Sequence, residues 1–257
     1  MSAFGELLAR NKGAKLGLWQ ALATPYTAEI CAGAGYDWLL FDGEHAPNTA
    51  QTLLAQLHAC AASGVHAIAR VPVGDPAIIK QYLDIGFPTL LVPMVDSAEQ
   101  ARLIVSATRF PPRGIRGVAS ATSRASAFGA RPDYLGTAHE RTAVIVQIES
   151  RAALDVIDEI AAVEGVDALF VGPADLAASL GHLGDPRAQA VQDAIARAYE
   201  AICAAGKPAG IFALDPEDAR RRIAQGFSFV SIGTDIGVLA KGARNLLEDC
   251  RIVAEKD

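Results

Sequence analysis

The fold is decided by the stretch Trp38-Leu39-Leu40-Phe41-Asp42-Gly43-Glu44-His45. Four large apolar residues, typical of a buried β-strand, end abruptly in two acidic residues and a histidine. The same change from apolar to polar recurs at Arg70, at Gln147-Ile148-Glu149-Ser150 and at Gly172-Pro173-Ala174-Asp175. This pattern predicts parallel strands whose carboxyl ends bring polar groups to one rim.

Eight β-type runs can be counted along the 257 residues, with helix-type stretches between them. The alternation predicts one α/β domain over 1–257, folded as a (β/α)8 TIM barrel, whose active site lies at the carboxyl ends of the strands. The runs lie near Leu16–Leu22, Trp38–Phe41, His66–Val71, Thr89–Pro93, Ala143–Ile148, Ala168–Val171, Pro208–Phe212 and Phe229–Ile232. The helical stretches include Thr49–Ala62, Pro76–Ile85, Ser97–Thr108, Ala152–Ala162, Ala188–Ala205, Pro216–Gln225 and Val238–Ala254.

Composition and charge exclude several classes of function. Hydrophobic residues make up 51% of the chain and charged residues 20%, which is ample for a folded core. The net charge of −6 disfavours nucleic acid, because phosphate binding requires clustered Lys and Arg. The first residues lack the pattern of a signal peptide, and no apolar run approaches the roughly 18 residues of a membrane span. We therefore expect a cytoplasmic protein with neither nucleic acid nor membrane as partner.

Two predicted strand ends carry carboxylates that could hold a metal ion. Glu149 ends one apolar strand, Asp175 follows the next, and Gln147 lies nearby. Hard oxygen ligands of this kind suit a divalent cation and leave coordination positions for a substrate. The alternative is that both acids stabilise the N-termini of the helices that follow.

Two further rim residues suggest proton transfer and charge stabilisation. His45 follows Asp42 and Glu44, which could hold its imidazole in one tautomer for general acid/base work. Arg70 could stabilise a developing oxyanion or bind a carboxylate through both nitrogens. Arg70 could equally form a structural ion pair with Asp42 or Glu44.

Other positions narrow the chemistry. The lysines fall in terminal segments, helices or strand entries, so a Schiff-base aldolase is not expected. Barrels that bind phosphosugars place glycine-rich loops after the last two strands, but here acidic residues follow these strands, which argues against a phosphosugar substrate. Phe212 and Leu214 predict an apolar wall beside the site. The loop Phe110–Arg131, rich in Gly, Pro, Ser and Arg, is predicted to meet an anionic substrate tail or another subunit, or to be solvated.

Taken together, the motifs resemble those of the HpcH/HpaI-type class II pyruvate aldolases over essentially the whole chain. The motifs that carry the resemblance are Gly17-Leu18-Trp19, Phe41-Asp42-Gly43-Glu44-His45, Arg70-Val71-Pro72, Leu91-Val92-Pro93-Met94-Val95, Gln147-Ile148-Glu149 and Gly172-Pro173-Ala174-Asp175-Leu176. The resemblance implies a barrel of the phosphoenolpyruvate/pyruvate superfamily type and a carbon-carbon lyase that cleaves or forms 4-hydroxy-2-oxo acids. It also implies pyruvate or hydroxypyruvate as the enolate donor, and a role in the catabolism of aromatic compounds.

The resemblance also implies roles for individual residues. Glu149 and Asp175 would hold Mg²⁺, Mn²⁺ or Co²⁺, Arg70 would stabilise the enolate, and His45 would exchange the proton of the 4-hydroxyl group. Asp42 and Glu44 would support this set. The residues that would shape the substrate pocket are Trp19, Gln147, Gly172, Pro173, Ala174, Asp175, Phe212 and Leu214.

An aspartate that the family pairs with the histidine matches Asp84, late in a predicted helix. That end of the helix lies away from the rim, so we hypothesise that Asp84 reaches His45 across a subunit interface. The resemblance implies a homohexamer in which the C-terminal helix, about 239–254, packs on a neighbouring subunit. Its apolar stripe of Leu246, Leu247 and Ile252 could do this or could close its own barrel.

Two other functions are compatible with parts of this pattern. An acyl-CoA lyase like the citrate lyase β-subunit shares enolate chemistry, but Arg113–Arg131 is the one basic segment that could recognise CoA phosphates. A non-catalytic barrel would not be expected to keep His45, Arg70, Glu149 and Asp175 together. Succinic semialdehyde, lactaldehyde, glyceraldehyde and glycolaldehyde are all compatible as the aldehyde acceptor.

Overall fold

Eight parallel strands form a closed barrel in a computed structural model of the chain, which describes residues 2–10 and 12–254, with side chains described as far as 251. Each strand pairs with the next, and β8 closes the barrel against β1. The predicted (β/α)8 architecture is confirmed. The strands are β1 (Lys15–Gln20), β2 (Trp38–Asp42), β3 (His66–Arg70), β4 (Thr89–Val92), β5 (Ala143–Ile148), β6 (Ala168–Val171), β7 (Ala209–Phe212) and β8 (Phe229–Thr234).

Helices follow every strand, as the alternation predicts. Ala152–Ala162, predicted as one helix, is two short helices that meet at Val156. Four helices fall outside the predicted stretches, namely α1, α2, α6 and α9. The helices are α1 (Ala3–Ala9), α2 (Pro25–Ala32), α3 (Ala50–Ala59), α4 (Pro76–Asp84), α5 (Ala98–Thr108), α6 (Tyr134–Arg141), α7 (Arg151–Asp155), α8 (Ile157–Ala161), α9 (Pro173–Ser179), α10 (Gln189–Ala204), α11 (Pro216–Gln225) and α12 (Asp235–Ala254).

The core has two layers, as the period-two alternation of strand residues requires. The larger layer lies between the strands and the surrounding helices, and the smaller one fills the barrel. Phe4 and Leu7 of α1 belong to the barrel interior, so this helix closes the end of the barrel opposite the carboxyl ends of the strands. The interior also contains large aromatic side chains: Trp19, Trp38, Phe170 and Phe229.

Chain direction separates the two ends of the barrel. The carboxyl ends of the strands form the active-site rim, and the helices return the chain to the opposite, N-terminal face. The long segment 109–133 connects α5 to α6 and β5, so it lies on the N-terminal face. The prediction that this loop meets a substrate tail is therefore wrong for the rim of its own chain, because it joins a helix to the next strand.

The helices are too short or too polar to cross a bilayer: among the described residues, none combines the length and hydropathy that a membrane span requires.

Candidate active site

The polar residues of the rim continue the inward-facing side of the strands. Leu40, Ile68 and Ile145 point into the barrel, and two positions further along each strand stand Asp42, Arg70 and Gln147. Because side chains alternate along a strand, these polar groups face the barrel axis just above the apolar filling. Glu149 follows Gln147 by another two residues, and Gly172 follows Phe170 in the same way.

Arg70 lies at the centre of this rim, with its side chain 5% exposed. Its Nε and Nη2 atoms donate to the two carboxylate oxygens of Asp42 at 2.9 and 2.7 Å, and Nη1 lies 2.7 Å from Oε2 of Glu44. The pairing follows from strand register, since Asp42 and Arg70 are directly opposite each other on β2 and β3. The guanidinium carbon also lies 4.3 Å from the ring centroid of Trp19.

His45 is open to solvent, with a side chain that is 66% exposed. Its Nε2 lies 3.8 Å from Oε2 of Glu44, while its backbone N–H donates to Asp42. The structure therefore corrects one expectation: the carboxylate of Asp42 does not hold the imidazole, because it is paired with Arg70 and accepts two backbone N–H groups. The imidazole is left facing outward from the rim.

Glu149 is 2% exposed, and both of its carboxylate oxygens have partners. Oε1 accepts the backbone N–H of Met94 at 2.8 Å, and Oε2 accepts the side-chain amide of Gln147. The pKa of Glu149 is raised to about 7, chiefly by burial; the hydrogen bond from Met94 and the charge of Arg70 lower it, and the charges of Asp175 and Glu44 raise it. Burial likewise raises the pKa of Glu44.

Close backbone approach fixes the Glu149 carboxylate. A Cβ at Gly172 would lie 2.5 Å from Oε2 of Glu149 and 2.8 Å from the amide nitrogen of Gln147, so only glycine fits there. On the other side, Met94 adopts a left-handed backbone with φ of 52° and directs its N–H at Oε1. Gln100 braces this turn by donating to the Met94 carbonyl and accepting from the Asp96 N–H.

The residues present fit a divalent cation. Two other carboxylates, of Asp175 and Glu44, are close enough to raise the pKa of Glu149, and Arg70 is already engaged by two acids. The Oε1 atom of Gln147 is buried and has no partner among the described residues. Glu149 and Asp175 remain the predicted protein ligands. The described part of the chain contains no group of three or more His, Cys, Asp or Glu side chains placed to hold a metal ion, so the protein would supply only part of the coordination shell.

The predicted pocket residues come together around this set. The rings of Trp19 and Phe212 meet edge to face with centroids 5.3 Å apart, and the indole N–H of Trp19 is buried without a partner among the described residues. Gly172 precedes helix α9 directly, and its first turn is made by Pro173, Ala174 and Asp175, the last two exposed. Leu214 lies just beyond β7 and is half-buried.

Asp84 is the one predicted catalytic residue that lies elsewhere. It is the last residue of α4, at the N-terminal face, and its Oδ1 is 2.6 Å from Nη2 of Arg116. Arg116 is held in turn by the hydroxyl of Tyr134 at 2.9 Å and stacks 4.5 Å from the ring of Phe110. Within one chain, the barrel separates Asp84 from His45.

Sequence reasoning missed the residues that act through the backbone. The N–H of Met94 and the brace from Gln100 have no residue-type signature, because a left-handed methionine cannot be read from composition or spacing. The sequence placed Arg116 in the arginine-containing loop but did not predict its ion pair with Asp84, because that pair depends on how the loop folds against α4.

Comparison with known proteins shows what the whole chain is similar to. The family model described as HpcH/HpaI aldolase/citrate lyase matches residues 15–242. A hydroxypyruvate/pyruvate aldolase of Deinococcus radiodurans is 58% identical over 90% of this chain and 84% of its own length. A 4-hydroxy-2-oxo-heptane-1,7-dioate aldolase of Klebsiella pneumoniae is 49% identical over 95% of this chain and 92% of its own.

Solved structures give the same result at the level of the fold. A crystal structure of an HpcH/HpaI aldolase/citrate lyase family protein from Burkholderia cenocepacia superposes with a TM-score of 0.93 at 43% identity, covering 98% of this chain and 100% of that one.

Proposed function

Because the chain belongs to the HpcH/HpaI aldolase/citrate lyase family, and is thus an aldolase-type carbon-carbon lyase, we propose that it is a metal-dependent class II pyruvate aldolase. It cleaves or forms 4-hydroxy-2-oxo acids with pyruvate or hydroxypyruvate as the enolate donor. The acceptor is an aldehyde such as succinic semialdehyde or a hydroxyaldehyde.

One observation carries the proposal: the rim brings four acidic residues, two of them buried, around a single, fully engaged guanidinium. Asp42 and Glu44 neutralise Arg70, which leaves Glu149 and Asp175 without a cation of their own. Glu149 is buried, whereas Asp175 is exposed at the rim. A buried carboxylate without a counter-charge is costly, and a divalent ion bound by the two residues would remove that cost. Bound there, Mg²⁺, Mn²⁺ or Co²⁺ would act as a Lewis acid toward the substrate carbonyl.

Arg70 orients and stabilises the donor. Its position on the barrel axis beside Trp19, held rigidly by two carboxylates, suits a fixed cation that faces a developing enolate oxygen. Because the ion pairs hold the guanidinium before substrate arrives, no reorganisation is needed as charge develops. The unpartnered indole N–H of Trp19 is a candidate donor to the same substrate.

His45 moves the proton at the acceptor side. Its exposed imidazole at the mouth of the rim suits a group that takes the 4-hydroxyl proton in cleavage and returns it in synthesis. Among the described residues of its own chain, Glu44 is the nearest acid recorded against the ring, and it lies 3.8 Å away. This supports the hypothesis that Asp84 of a neighbouring subunit completes the pair.

A second feature that supports self-association is the exposed apolar side of helix α12. Helix α12 leaves Leu239, Leu246 and Leu247 exposed at 60%, 68% and 52%, which is unusual for one side of a helix in a monomer. The stripe that was predicted also includes Ile252, whose side chain lies outside the described residues. We propose a homohexamer in which α12 packs on a neighbour.

A CoA-ester lyase is disfavoured by where the basic loop lies. Recognition of CoA phosphates would require cationic residues near the rim, but the loop with Arg113, Arg116 and Arg124 joins α5 to β5 on the opposite face. An acceptor side walled by Phe212 and Leu214 suits a small aldehyde better.

Pyruvate release tests the proposal. Purified protein is incubated with a 4-hydroxy-2-oxo acid, and pyruvate is measured with metal present, after EDTA treatment and after Mn²⁺ is added back. We expect release to stop with EDTA and to return with Mn²⁺. Release that persists after complete removal of metal would rule out the class II mechanism.

A further inference from the structure

A cavity at the N-terminal face of the barrel is lined by arginines that the proposed reaction does not use. It has a volume of about 330 Å³ and lies between the start of β4 and the segment 109–133. Four guanidinium-bearing residues line it, together with apolar side chains, and none of its described lining residues carries a carboxylate. The four are Arg116, Arg124, Arg131 and Arg141.

Arg116 shows what a charge-compensated arginine looks like in this cavity. It is 2% exposed, pairs with Asp84 at 2.6 Å, bonds the Tyr134 hydroxyl and stacks on Phe110. Its charge is satisfied by the fold, and its role is structural.

Arg124 lacks such compensation. Its Nη1 donates to the carbonyl of Ile85 at 3.2 Å and passes over Gly86, where a Cβ would lie 2.5 Å from that nitrogen. No carboxylate of the described residues lies within ion-pair distance of it, and burial lowers its pKa. A half-buried cation bound to backbone carbonyls alone retains most of its capacity to bind an anion.

Arg131 and Arg141 extend the positive charge along the cavity. Arg131 donates to the carbonyl of Ala125 at 3.3 Å, and Arg141 makes a long pair with Asp133 at 3.4 Å in which both side chains are more than half exposed. Exposed pairs of this kind contribute little. Both arginines also line a neighbouring depression that contains Glu6 and Glu140, so Arg124 is the strongest of the three anion-binding groups.

We propose that this cavity binds a small organic polycarboxylate at a site separate from the rim of its own chain. A planar guanidinium group binds a planar carboxylate through two hydrogen bonds. Several guanidinium groups around one cavity therefore favour a ligand with more than one carboxylate. The walls contributed by Leu83, Phe87 and Tyr134 suit a carbon skeleton rather than a bare inorganic anion. The volume lies at the lower end of the roughly 300–1,000 Å³ typical of small-molecule sites.

Calorimetric titration with propane-1,2,3-tricarboxylate tests the site. Metal is first removed from the full-length protein with EDTA, and the EDTA is then dialysed away, so that neither metal chelation nor a competing polycarboxylate affects the titration. We expect saturable binding of one molecule per chain, weakened about tenfold or more in Arg124→Gln and in Arg131→Gln, because each loses a charge-assisted hydrogen bond. Arg131 is exposed, so its variant reports on binding even if Arg124→Gln folds poorly.

Two control variants distinguish binding in this cavity from binding in the active site or from a general effect of surface charge. Arg220→Gln removes the same charge from an exposed position on α11, and Arg70→Lys alters the active site; both are expected to bind the tricarboxylate like the unaltered protein. Loss of binding in Arg70→Lys but not in Arg124→Gln would place the ligand in the active site and overturn the proposal.

Absence of saturable binding at millimolar concentrations would also overturn the proposal. If the assembly of Arg124→Gln were in addition smaller by mass photometry, the occupant would be an acidic surface of another copy of the chain. These measurements require neither metal nor turnover, so their failure is distinct from failure of the aldolase assignment.

Discussion

At the residue scale, Arg70 has two tasks that substitution can separate. It neutralises Asp42 and Glu44, and it faces the barrel axis where the substrate is proposed to lie. Arg70→Ala would leave two poorly solvated carboxylates unpaired and is expected to destabilise the fold by roughly 3–5 kcal/mol. Arg70→Lys keeps a positive charge but loses the two-pronged geometry.

We therefore expect Arg70→Lys to fold and to bind Mn²⁺ within about threefold of the unaltered protein, with turnover reduced roughly 100-fold or more. Steady-state pyruvate release and calorimetric Mn²⁺ titration measure the two quantities. Near-normal turnover in this variant would show that Arg70 is structural.

Glu149 makes the stability of the metal-free protein depend on pH. Burial raises its pKa to about 7 from an ordinary value of 4.5, so the folded state holds the proton more tightly than the unfolded state. Its contribution to stability is complete below about pH 4.5 and is lost as the pH rises through about 7.

In EDTA, the thermal midpoint of the unaltered protein should therefore fall more steeply between pH 5 and pH 8 than that of Glu149→Gln. Scanning calorimetry of the two proteins across this range provides the comparison. Parallel curves would contradict the assignment of the raised pKa to Glu149.

Residue identities at the rim were largely predictable, and one of the alternatives for their pairing, an ion pair of Arg70 with Asp42 or Glu44, is confirmed for both acids. Arg70 and Glu149 end apolar strands, and that position alone points them to the rim. Asp42 was expected to hold His45, yet it binds Arg70, because β2–β3 register sets the two directly opposite each other. Register depends on barrel closure and cannot be read from one strand.

At the scale of elements, the β6–α9 joint controls the geometry of the proposed metal site. Because Gly172 has no Cβ, its backbone can lie close to the Glu149 carboxylate; an added Cβ would lie 2.5 Å from Oε2 of Glu149. Gly172→Ala is expected to displace the carboxylate and weaken Mn²⁺ binding about tenfold or more.

Gly136→Ala is the matched control, because an added Cβ meets nothing within 4 Å in helix α6. It should leave Mn²⁺ binding unchanged and stabilise the protein slightly, by about 0.5–1 kcal/mol. Equal Mn²⁺ affinity in the two variants, measured by calorimetry, would show that close approach at Gly172 is unimportant.

Strands and long helices followed from sequence better than short helices. The strands begin and end within a few residues of the predicted runs, and α11 has the predicted bounds. Helices α1 and α9 have only seven residues, about two turns, too few for a helical period to stand out. The break at Val156 was equally invisible, since the apolar pattern continues across it.

At the scale of the whole molecule, barrel closure was predictable because eight alternating units leave one compact solution. The contacts between barrels could not be predicted in the same way. Asp84 lies on the face opposite His45, so one chain cannot contain the proposed pair. The hypothesis of a shared site therefore makes a prediction about mixtures of chains.

His45→Ala and Asp84→Ala chains should each be nearly inactive as pure assemblies. Co-expressed, they should regain activity, because some interfaces would combine an intact His45 with an intact Asp84. Native mass spectrometry verifies that hybrids form, and pyruvate release measures activity. Verified hybrids without recovered activity would contradict the shared site.

The central claim is that the rim of Glu149, Asp175 and Arg70 generates an enolate from pyruvate only when a divalent metal is bound. Proton NMR of pyruvate in D₂O measures this directly, because enolate formation exchanges the methyl protons for deuterium whatever the aldehyde acceptor. We predict exchange with Mg²⁺, its loss with EDTA, its return with added Mg²⁺ and its absence in Glu149→Gln. Exchange that continues in metal-free protein, or in Glu149→Gln at the rate of the unaltered protein, would contradict the claim.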